Sequence, residues 1–430
     1  MTDNFNKDIL SVVKGRLCCS CGACEFICPV NAIKIEETKG GFLYPTINKD
    51  LCNKCGLCRK VCPSIKLNFV KEQRKDFKSS EGNVLDSFVG ISTNNEIYQN
   101  SQSGGIVTSI LLYLLENNKI DYAITTEMKS GNPPRAIPKI SKNIDELLQS
   151  QKSKYSPIPI NTLFKEIDQV DGKVAIVALP CQVHGIYNIL EYKPYLRDKI
   201  KIIIGLVCDR VMTNYAIDFL IDYSDISSSN EMNLIYRDKT INGYPGDIRI
   251  QSKGNNDELL ESKFRMYIKN YFTPPRCRIC YDKMNSFSDI VVCDPHGIDD
   301  IDRRKGESVA IVRTQNGFEI FKSALNMKYI KCKKIDYNDI YNGQAMNLKR
   351  EKWIGFSKAW NELGYDMPDF RLVIPYESDS KIITKKYKKI LLKSIKYSNL
   401  DKKKIYLNAR VIIYINLLKS IFDQIIHKKL

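Results

Sequence analysis

The sequence predicts an α+β chain with a small (βαβ)2-type module, then a larger mixed-sheet α/β domain and a basic helical tail. Three observations support this fold class. A cysteine-rich run is repeated near the start, β-branched runs alternate with helical segments in the middle, and lysines are interleaved with apolar residues at the end. The length of 430 residues is sufficient for two or three domains.

The repeat reads C-x2-C-x2-C-x3-C-P in both halves, and the second half lies 34 residues after the first. The N-terminal segment Met1–Leu10 has no apolar region typical of an export signal, so disulfides are not expected and the default compartment is the cytoplasm. Four soft, anionic thiolates per cluster suit 4Fe-4S centres, and the fourth cysteine of each run ligates the other cluster. The predicted ligand sets are Cys18, Cys21, Cys24 and Cys62 for one cluster, and Cys52, Cys55, Cys58 and Cys28 for the other.

A pair of structural zinc sites is the alternative interpretation of these cysteines. Zinc sites usually pair two C-x2-C hooks and do not need a doubled four-cysteine run with matched prolines, here Pro29 and Pro63. The spacing therefore favours a bacterial-type ferredoxin module. Cys19 falls outside both sets, and we expect it to be a small residue in the packing of a cluster.

Domain boundaries follow from the changes in composition. We expect a dicluster ferredoxin domain over residues 1–68, a polar linker over 69–86, a first part of the larger domain over 87–170, a second part over 171–375 and a tail over 376–430. Strands are predicted at 31–35 and 41–47 in the module, and at 88–92, 121–127, 173–179 and 199–207 beyond it. Helices are predicted at 106–116 and 183–190. Later strands are predicted at 235–237, 248–251, 289–293 and 309–313, and they lack intervening helices.

Six cysteines remain after the module. Cys181 and Cys208 follow two β-branched runs of a predicted βαβ unit, so they would lie side by side at the carboxyl edge of the sheet, where ligand sites are common. Cys277 and Cys280 form a C-x2-C hook. Together these four cysteines make a candidate four-thiolate site. Zinc binding and ordinary buried cysteines are the alternatives.

The net charge of +17 is concentrated in the tail. Residues 381–430 contain 14 Lys or Arg and only the acids Asp401 and Asp423, which leaves +5 for the rest of the chain. Nucleic-acid binding is therefore not indicated by charge. The segment 411–426 is predicted to form an amphipathic helix. The tail could lie on an anionic membrane surface, or it could be a solvated arm or a helix that docks a partner. No run approaches about 18 consecutive apolar residues.

Eight short stretches occur in a characteristic order along the chain. They are Ser101-Gln102-Ser103-Gly104-Gly105, Ser153-Lys154-Tyr155, Leu179-Pro180-Cys181-Gln182, Gly205-Leu206-Val207-Cys208, Tyr236-Arg237, Tyr244-Pro245-Gly246, Cys277-Arg278-Ile279-Cys280 and Val312-Arg313-Thr314. This order resembles that of the coenzyme F-420 hydrogenase/dehydrogenase beta-subunit family with a fused N-terminal ferredoxin domain, and the resemblance covers roughly residues 10–360.

The resemblance implies FAD and a third 4Fe-4S cluster in the larger domain. By position, Cys181, Cys208, Cys277 and Cys280 would hold that cluster. Residues 101–105 form a small-residue loop before a helix, where backbone N–H groups could receive a phosphate or a ring oxygen; a plain helix cap is the alternative. The residues that could bind the cofactor or an anionic substrate are Ser101, Gln102, Ser103, Gly104, Gly105, Lys154, Tyr155, Arg237 and Arg313. No catalytic residue is assigned.

The chain departs from the family pattern at three places. Leu179 replaces a small hydroxyl residue, residues 293–297 replace a Gly-Asp-aromatic sequence, and residues 238–243 replace a glycine-rich stretch. Cys293 is therefore an alternative cluster ligand, and His296 could face the flavin or could be a core histidine. These departures leave the acceptor open.

Three functions are compatible with these features. The leading hypothesis is a cytoplasmic iron–sulfur flavoprotein oxidoreductase that passes electrons between the clusters, FAD and coenzyme F-420 or another small acceptor. The second is an electron-transfer subunit without its own substrate that docks a partner enzyme; the resemblance includes bacterial proteins associated with polysaccharide synthesis. The third is a scaffold whose flavin site has decayed. A redox partner protein is expected. The basic tail is a candidate for peripheral contact with the inner face of the membrane.

Overall fold

The computed structural model describes residues 8–65, 82–224, 226, 231–252, 257–302, 304–368 and 381–427. Most of the predicted linker, residues 69–86, lies outside these ranges. The N-terminal module contains a hairpin of two antiparallel strands between short helices. Its elements are α1 (Leu10–Lys14), α2 (Ala23–Phe26), β1 (Ile33–Glu37), β2 (Leu43–Ile47) and α3 (Leu57–Lys60). Both strands were predicted within two residues. Within the described part of the module, β1 and β2 pair as one antiparallel hairpin.

The larger part of the chain contains the remaining strands and helices. The strands are β3 (Asp86–Ser92), β4 (Tyr122–Lys129), β5 (Arg135–Ser141), β6 (Val174–Ala178), β7 (Ile200–Leu206), β8 (Met232–Asp238), β9 (Asp247–Ser252), β10 (Asp257–Leu260), β11 (Ile290–Cys293), β12 (Ser308–Val312) and β13 (Ile330–Lys334). The helices before the tail are α4 (Asn95–Asn100), α5 (Ile106–Glu116), α6 (Ile144–Ser150), α7 (Phe164–Gln169), α8 (Pro180–Tyr192), α9 (Leu196–Lys199), α10 (Tyr215–Tyr223), α11 (Lys263–Phe272), α12 (Pro275–Arg278), α13 (Gln315–Asn326), α14 (Tyr337–Gly343) and α15 (Met346–Glu362), and a 3-10 helix spans Ile160–Leu163.

Eight of these strands form one mixed sheet in the order β13-β3-β12-β11-β7-β6-β4-β5. The central neighbours β4, β6, β7 and β11 are parallel, whereas β5 on one side and β12, β3 and β13 on the other are antiparallel. The predicted mixed sheet is confirmed. Strands β8, β9 and β10 form a separate three-stranded sheet, so two of the later predicted strands do not join the main one.

The unit β6-α8-β7 has the predicted βαβ order with parallel strands. Val174 and Ile176 of β6 are fully buried, and α8 packs Val183 and Ile186 against the sheet. Pro180 begins the helix, a position where its missing N–H costs nothing. Because the helix begins there, Cys181 lies in its first turn instead of at a strand end.

The N-terminal module packs into the core of the larger part. Phe26 and Val61 belong to the same buried cluster as Phe164. The backbone N–H of Asn161 donates to the Cys21 carbonyl at 3.1 Å, and the Lys165 amino group pairs with Glu25 at 3.2 Å. The module is therefore held against the larger domain by apolar, polar and ionic contacts. The predicted domain boundaries stay a prediction.

Two helices form the described part of the tail, α16 (Lys381–Ser398) and α17 (Lys402–His427). The helix predicted at 411–426 is confirmed and is longer than predicted, because it begins at Lys402. The inward face of α16 buries Tyr387 and Leu391 against the N-terminal module, and α17 buries Ile405 and Ala409 beside α10 and α11. No helix of the described ranges combines the length and apolarity needed to span a bilayer.

Candidate metal centres and the adjoining cationic cluster

The first predicted ligand set converges in the part of the module that faces the larger domain. Gly22 begins α2 with a left-handed backbone, φ 88°, which only glycine adopts without strain and which turns the chain between Cys21 and Cys24. Burial raises the pKa of Cys24 well above its usual value, and the neighbouring Cys18 and Cys62 thiols raise it further. The four thiols of this inner set, Cys18, Cys21, Cys24 and Cys62, are thus near neighbours.

The second predicted set lies at the outer side of the module. Burial raises the pKa of Cys58, and the nearby Cys55 and Cys28 thiols contribute in the same direction. Cys52 precedes Cys55 in the same loop, and the Cys55 side chain is exposed. The backbone N–H of Ala32 donates to the Cys28 sulfur at 3.3 Å. We call Cys28, Cys52, Cys55 and Cys58 the outer set.

The third candidate set joins segments that are far apart in sequence. Burial raises the pKa of Cys208 well above its usual value, and the Cys277 and Cys280 thiols add to this effect. A hydrogen bond with Cys19 is the largest cause of the raised pKa of Cys181, and Cys280 and Cys208 also contribute. These mutual effects on pKa place Cys181, Cys208, Cys277 and Cys280 near one another, and their role as cluster ligands stays a prediction.

All three sets offer the same donor chemistry. Each contains four cysteines and no other ligand type, and the described cysteines form no disulfide. Four thiolates match a 4Fe-4S cubane. Among the described residues, no three His, Cys, Asp or Glu side chains are close enough to hold one metal ion, whereas the thiolates of a cubane each bind a different iron.

Cys19 lies between the inner set and the third set. Hydrogen bonds from the Cys181 and Cys21 thiols lower the pKa of Cys19 well below its usual value. From the sequence, Cys19 was predicted to be a small residue in the packing of one cluster. In the structure Cys19 lies beside candidate ligands of two clusters, Cys21 and Cys181. The sequence offered no signal for this second contact, which depends on the position of α8.

A buried His184–Asp282 pair ties the third set together. The Nε2 atom of His184 lies 2.9 Å from Oδ2 of Asp282, and both side chains are almost fully buried. Although burial raises it, the hydrogen bond from His184 lowers the pKa of Asp282 below its usual value. Because His184 lies on the helix of Cys181 and Asp282 follows Cys280, the pair fixes α8 against the Cys277–Cys280 hook. The His184–Asp282 pair was not predicted from the sequence. The one signal for it was position, because His184 closely follows Cys181 and Asp282 closely follows Cys280.

The predicted small-residue loop, residues 101–105, connects α4 to α5. Gly105 begins α5 with φ 80°, and a Cβ atom on Gly104 would lie 2.3 Å from the Gly90 carbonyl oxygen. Only glycine fits at Gly104 without displacing β3. The backbone N–H of Ser153 donates to the Gln102 side chain at 2.8 Å, so the loop touches the segment that carries Lys154. The Ser101 and Ser103 hydroxyls donate to backbone carbonyls of the chain.

Lys239 contacts this loop, and Lys152 and Lys154 flank Ser153, which donates to Gln102 of the loop. We call Lys152, Lys154 and Lys239 the cationic cluster. The Lys154 amino group donates to the carbonyls of Ser150 and Gln151, and burial lowers its pKa to about 7. The Lys239 amino group donates to the Ser103 carbonyl at 2.8 Å, and burial lowers its pKa to about 8. The charge of Lys152 lowers the pKa of both.

The amino groups of Lys154 and Lys239 donate to backbone carbonyls and to the Ser101 hydroxyl, and neither forms an ion pair within the described ranges. A bound anion would stabilise their charged forms. Lys152 and Lys239 were not among the predicted site residues. Lys239 lies in the stretch 238–243, which had been noted only as a departure from the family pattern. The polar character of the cationic cluster fits a phosphate-bearing cofactor or an anionic acceptor.

Arg237 and Tyr155 lie beside one another near this cluster. The Tyr155 ring packs edge-on against Tyr236, with 5.3 Å between the ring centroids. Nη1 of Arg237 donates to Asp294 at 2.5 Å and Nε donates to the Pro245 carbonyl, whereas the buried Nη2 has no hydrogen-bond partner in the described part of the chain. A buried guanidinium nitrogen without a partner is suited to an additional anionic ligand.

The surroundings of three other candidates, Arg313, Cys293 and His296, differ from one another. Ser308, which accepts a hydrogen bond from Gly104, begins β12, and Arg313 follows the other end of this strand, roughly 16 Å away. Arg313 donates to the carbonyls of Asn83 and Met284. The pKa of Cys293 is raised to about 12 by burial and then by Asp294, so its neighbourhood differs from that of the third set. His296 has an exposed side chain 4.0 Å from Asp294 and is not a core histidine.

Comparison with known proteins identifies the same three segments. Two sequence profiles describe the beta subunit of coenzyme F420 hydrogenase/dehydrogenase; the profile of its N-terminal part matches residues 87–165, and the profile of its C-terminal part matches residues 171–338. A 4Fe-4S dicluster domain matches residues 17–65. The N-terminal module is therefore an iron–sulfur domain.

Two of the relatives that the comparison finds have low sequence identity to this chain. The chain is 27% identical over 277 residues to the coenzyme F420-dependent sulfite reductase of Methanocaldococcus jannaschii; the match covers 58% of this chain but only 38% of the reductase. It is 24% identical over 315 residues to the F subunit of the F(420)H(2) dehydrogenase of Methanosarcina mazei, covering 73% of this chain and 84% of that relative.

A solved structure supports the fold. A chain of the F420-reducing NiFe hydrogenase complex from Methanosarcina barkeri superposes with a TM-score of 0.52 at 20% identity, over 69% of this chain and 98% of that one. Both halves of the beta-subunit profile match in order, and the predicted family resemblance is confirmed. The chain belongs to the coenzyme F420 hydrogenase/dehydrogenase beta-subunit family and carries a 4Fe-4S dicluster domain at its N-terminal end.

Proposed function

We propose that the chain is an iron–sulfur flavoprotein oxidoreductase that exchanges electrons with coenzyme F420 or another small acceptor. The observation that carries this proposal is the approach of the third set to the inner set: Cys21 and Cys181 both lower the pKa of Cys19, and a Cβ atom on Gly185, in the helix of Cys181, would lie 3.3 Å from the Cys21 sulfur. Two four-thiolate sites that share a contact residue are suited to electron exchange, whereas isolated structural sites need no such contact.

Three 4Fe-4S clusters are the first part of this proposal. The inner and outer sets would hold the two clusters of the dicluster domain, and Cys181, Cys208, Cys277 and Cys280 would hold the third. Support comes from the donor chemistry, four thiolates in each set, and from burial of the inner and third sets, which excludes water from the ligands.

FAD in the larger domain is the second part. Lys154, Lys239 and Nη2 of Arg237 would neutralise its pyrophosphate, and the loop 101–105 would present its backbone N–H groups. A flavin can exchange single electrons with clusters and electron pairs with a hydride acceptor. Support comes from the two partly buried lysines, which form no ion pair in the described part of the chain, and from the unpartnered guanidinium nitrogen. Arg313, at the far end of β12, would act structurally instead.

The deazaflavin coenzyme F420 is the proposed acceptor because the names of the relatives specify F420 or its reduced form. The experiment is anaerobic purification followed by iron, acid-labile sulfide and flavin analysis, and then an assay of F420 reduction. We expect about twelve irons and one FAD per chain, for three cubanes and one flavin. Protein with the clusters but without flavin would contradict the flavin part, and colourless protein without sulfide would contradict the whole proposal.

An electron-transfer subunit without a substrate of its own is the second candidate function. Two relatives are named as parts of larger enzymes, the F subunit of the F(420)H(2) dehydrogenase and the beta subunit of the coenzyme F420 hydrogenase, which favours it. The same assay separates the two functions. Reduction of F420 by the isolated, chemically reduced chain supports the first, and reduction only after a partner enzyme is added supports the second.

A further inference from the structure

The two halves of the N-terminal module have similar backbones but different surroundings. Gly22 and Gly56 occupy equivalent positions and both have left-handed backbones, φ 88° and 74°. A Cβ atom on Gly22 would lie 2.8 Å from the Pro159 carbonyl oxygen, whereas a Cβ atom on Gly56 would meet no described residue within 4 Å. The first half of the repeat is therefore packed against the larger domain, and the second half faces open space.

Side chains at equivalent positions differ in the same way. Leu17 is 7% exposed, and Leu51, its counterpart 34 residues later, is 53% exposed. Ser20 and Phe26 are buried in the first half. Their counterparts in the second half are the exposed residues Lys54 and Lys60.

The exposed half carries an excess of one charge. Residues 48–60 surround three of the four outer cysteines and contain four basic residues, Lys49, Lys54, Arg59 and Lys60, and one acidic residue, Asp50. Cys55, a candidate ligand, is itself exposed among them. Exposure to water explains why these residues are polar, but it does not explain an excess of positive charge, because acidic residues are solvated equally well. The excess of positive charge, around an exposed leucine and an exposed thiol, indicates a partner.

We propose that the surface formed by Leu51, Lys49, Lys54, Cys55 and Lys60, called the outer face below, docks a small acidic redox protein. This proposal rests on the proposed function, because it requires the outer set to hold a redox centre. Basic residues would attract and orient an acidic partner, and Leu51 would provide apolar contact at the centre of the interface. In each encounter, one electron lost by the reduced protein is gained by the other, with no bond made or broken.

The tail offers a rival basic surface that serves as a matched control. Lys385, Lys389 and Lys393 are exposed on one side of α16. Reversal of these three charges changes the net charge of the protein as much as reversal of three charges on the outer face. The tail lysines do not surround an exposed cysteine. If the partner were attracted by net charge alone, reversal of their charges would weaken its binding as much as reversal on the outer face.

The experiment measures binding of an acidic bacterial ferredoxin to the anaerobically prepared full chain by surface plasmon resonance, at low and at high salt. The outer-face variant is Lys49→Glu, Lys54→Glu, Lys60→Glu, and the control is Lys385→Glu, Lys389→Glu, Lys393→Glu. We expect the outer-face variant to bind at least about tenfold more weakly at low salt, and the control to bind within about twofold of wild type. High salt should remove most of this difference, because it screens exposed charges.

Equal affinity of the two variants, or greater weakening by the tail variant, would overturn the proposal, as would wild-type affinity that does not change with salt. If the outer-face variant loses iron, the triple Lys→Gln variant at the same positions replaces it, and weaker binding is still expected. Iron and sulfide analysis of the wild type keeps the two proposals apart. Wild type without clusters contradicts the proposed function, whereas fully loaded wild type with unaltered variant binding contradicts only the docking surface.

Discussion

Gly185 of α8 lies directly against Cys21 of the inner set. A Cβ atom added to Gly185 would stand 3.3 Å from the Cys21 sulfur and 2.6 Å from the Nδ2 atom of Asn161. The helix that carries Cys181 can therefore approach the N-terminal module only because this position has no side chain. This contact joins the dicluster domain directly to the larger domain.

Gly185→Ala should loosen this junction. We expect a loss of about 1–3 kcal/mol of stability, since an added methyl group in a packed interior forces its neighbours apart. Thermal unfolding measured by circular dichroism checks this, with Glu191→Ala, an exposed position of the same helix, as the control. If Gly185→Ala and Glu191→Ala unfold at the same temperature as wild type, α8 does not press on the inner set.

The third set should bind iron independently of the dicluster domain. Cys208→Ala or Cys280→Ala is expected to reduce the iron content by about four atoms per chain, with the electron paramagnetic resonance signals of the dicluster domain retained. Cys19→Ala is the matched control, because Cys19 contacts Cys181 but is not an assigned ligand. Unchanged iron in both ligand variants, or an equal loss in Cys19→Ala, would show that the assignment is wrong.

The sequence could predict the cysteine ligands, which follow a local spacing, but not the contacts between residues that are far apart in the chain. Cysteines at fixed short spacing identify a ligand loop without any knowledge of the fold, so the inner and outer sets could be proposed directly. The third set required only that two strands be neighbours, and β6 and β7 are. The meeting of Cys19 with Cys181, and of Lys152 with Lys239, depends on how distant segments pack. No local pattern encodes that packing, so neither contact could be predicted.

The cationic cluster should determine flavin retention. We expect Lys154→Gln and Lys239→Gln each to lower the FAD content of the purified protein severalfold, because each removes a positive charge that a pyrophosphate would pair with. Lys119→Gln, at an exposed position, is the control and should retain the wild-type flavin content. Flavin is measured by fluorescence after acid release. Full retention in both cluster variants would place the flavin elsewhere.

The lowered pKa of Lys154 predicts a pH dependence of stability in the flavin-free protein. The unfolded chain binds this proton up to a pH near 10.5, whereas the folded chain loses it near 7. Between these values the unfolded state holds more protons, so the free energy of unfolding should rise as the pH increases from about 7 to 9. Urea unfolding across this range tests the sign. Lys154→Met should flatten the increase, and an unaltered slope in that variant would assign the effect to other groups.

The outward face of α17 is the part of the tail that could contact a membrane, which stays a prediction. Its inward face is already packed, but Leu407, Val411 and Leu418 are exposed beside lysines. Anionic vesicles should bind the wild-type chain and release the variant Leu407→Ser, Val411→Ser, Leu418→Ser, since apolar insertion and charge attraction act together. These positions are exposed, so the variant should remain folded. Truncation of the tail would instead uncover the core that Ile405 and Tyr387 help to close. Equal co-sedimentation of wild type and variant would leave α17 as a surface for a protein partner or for solvent.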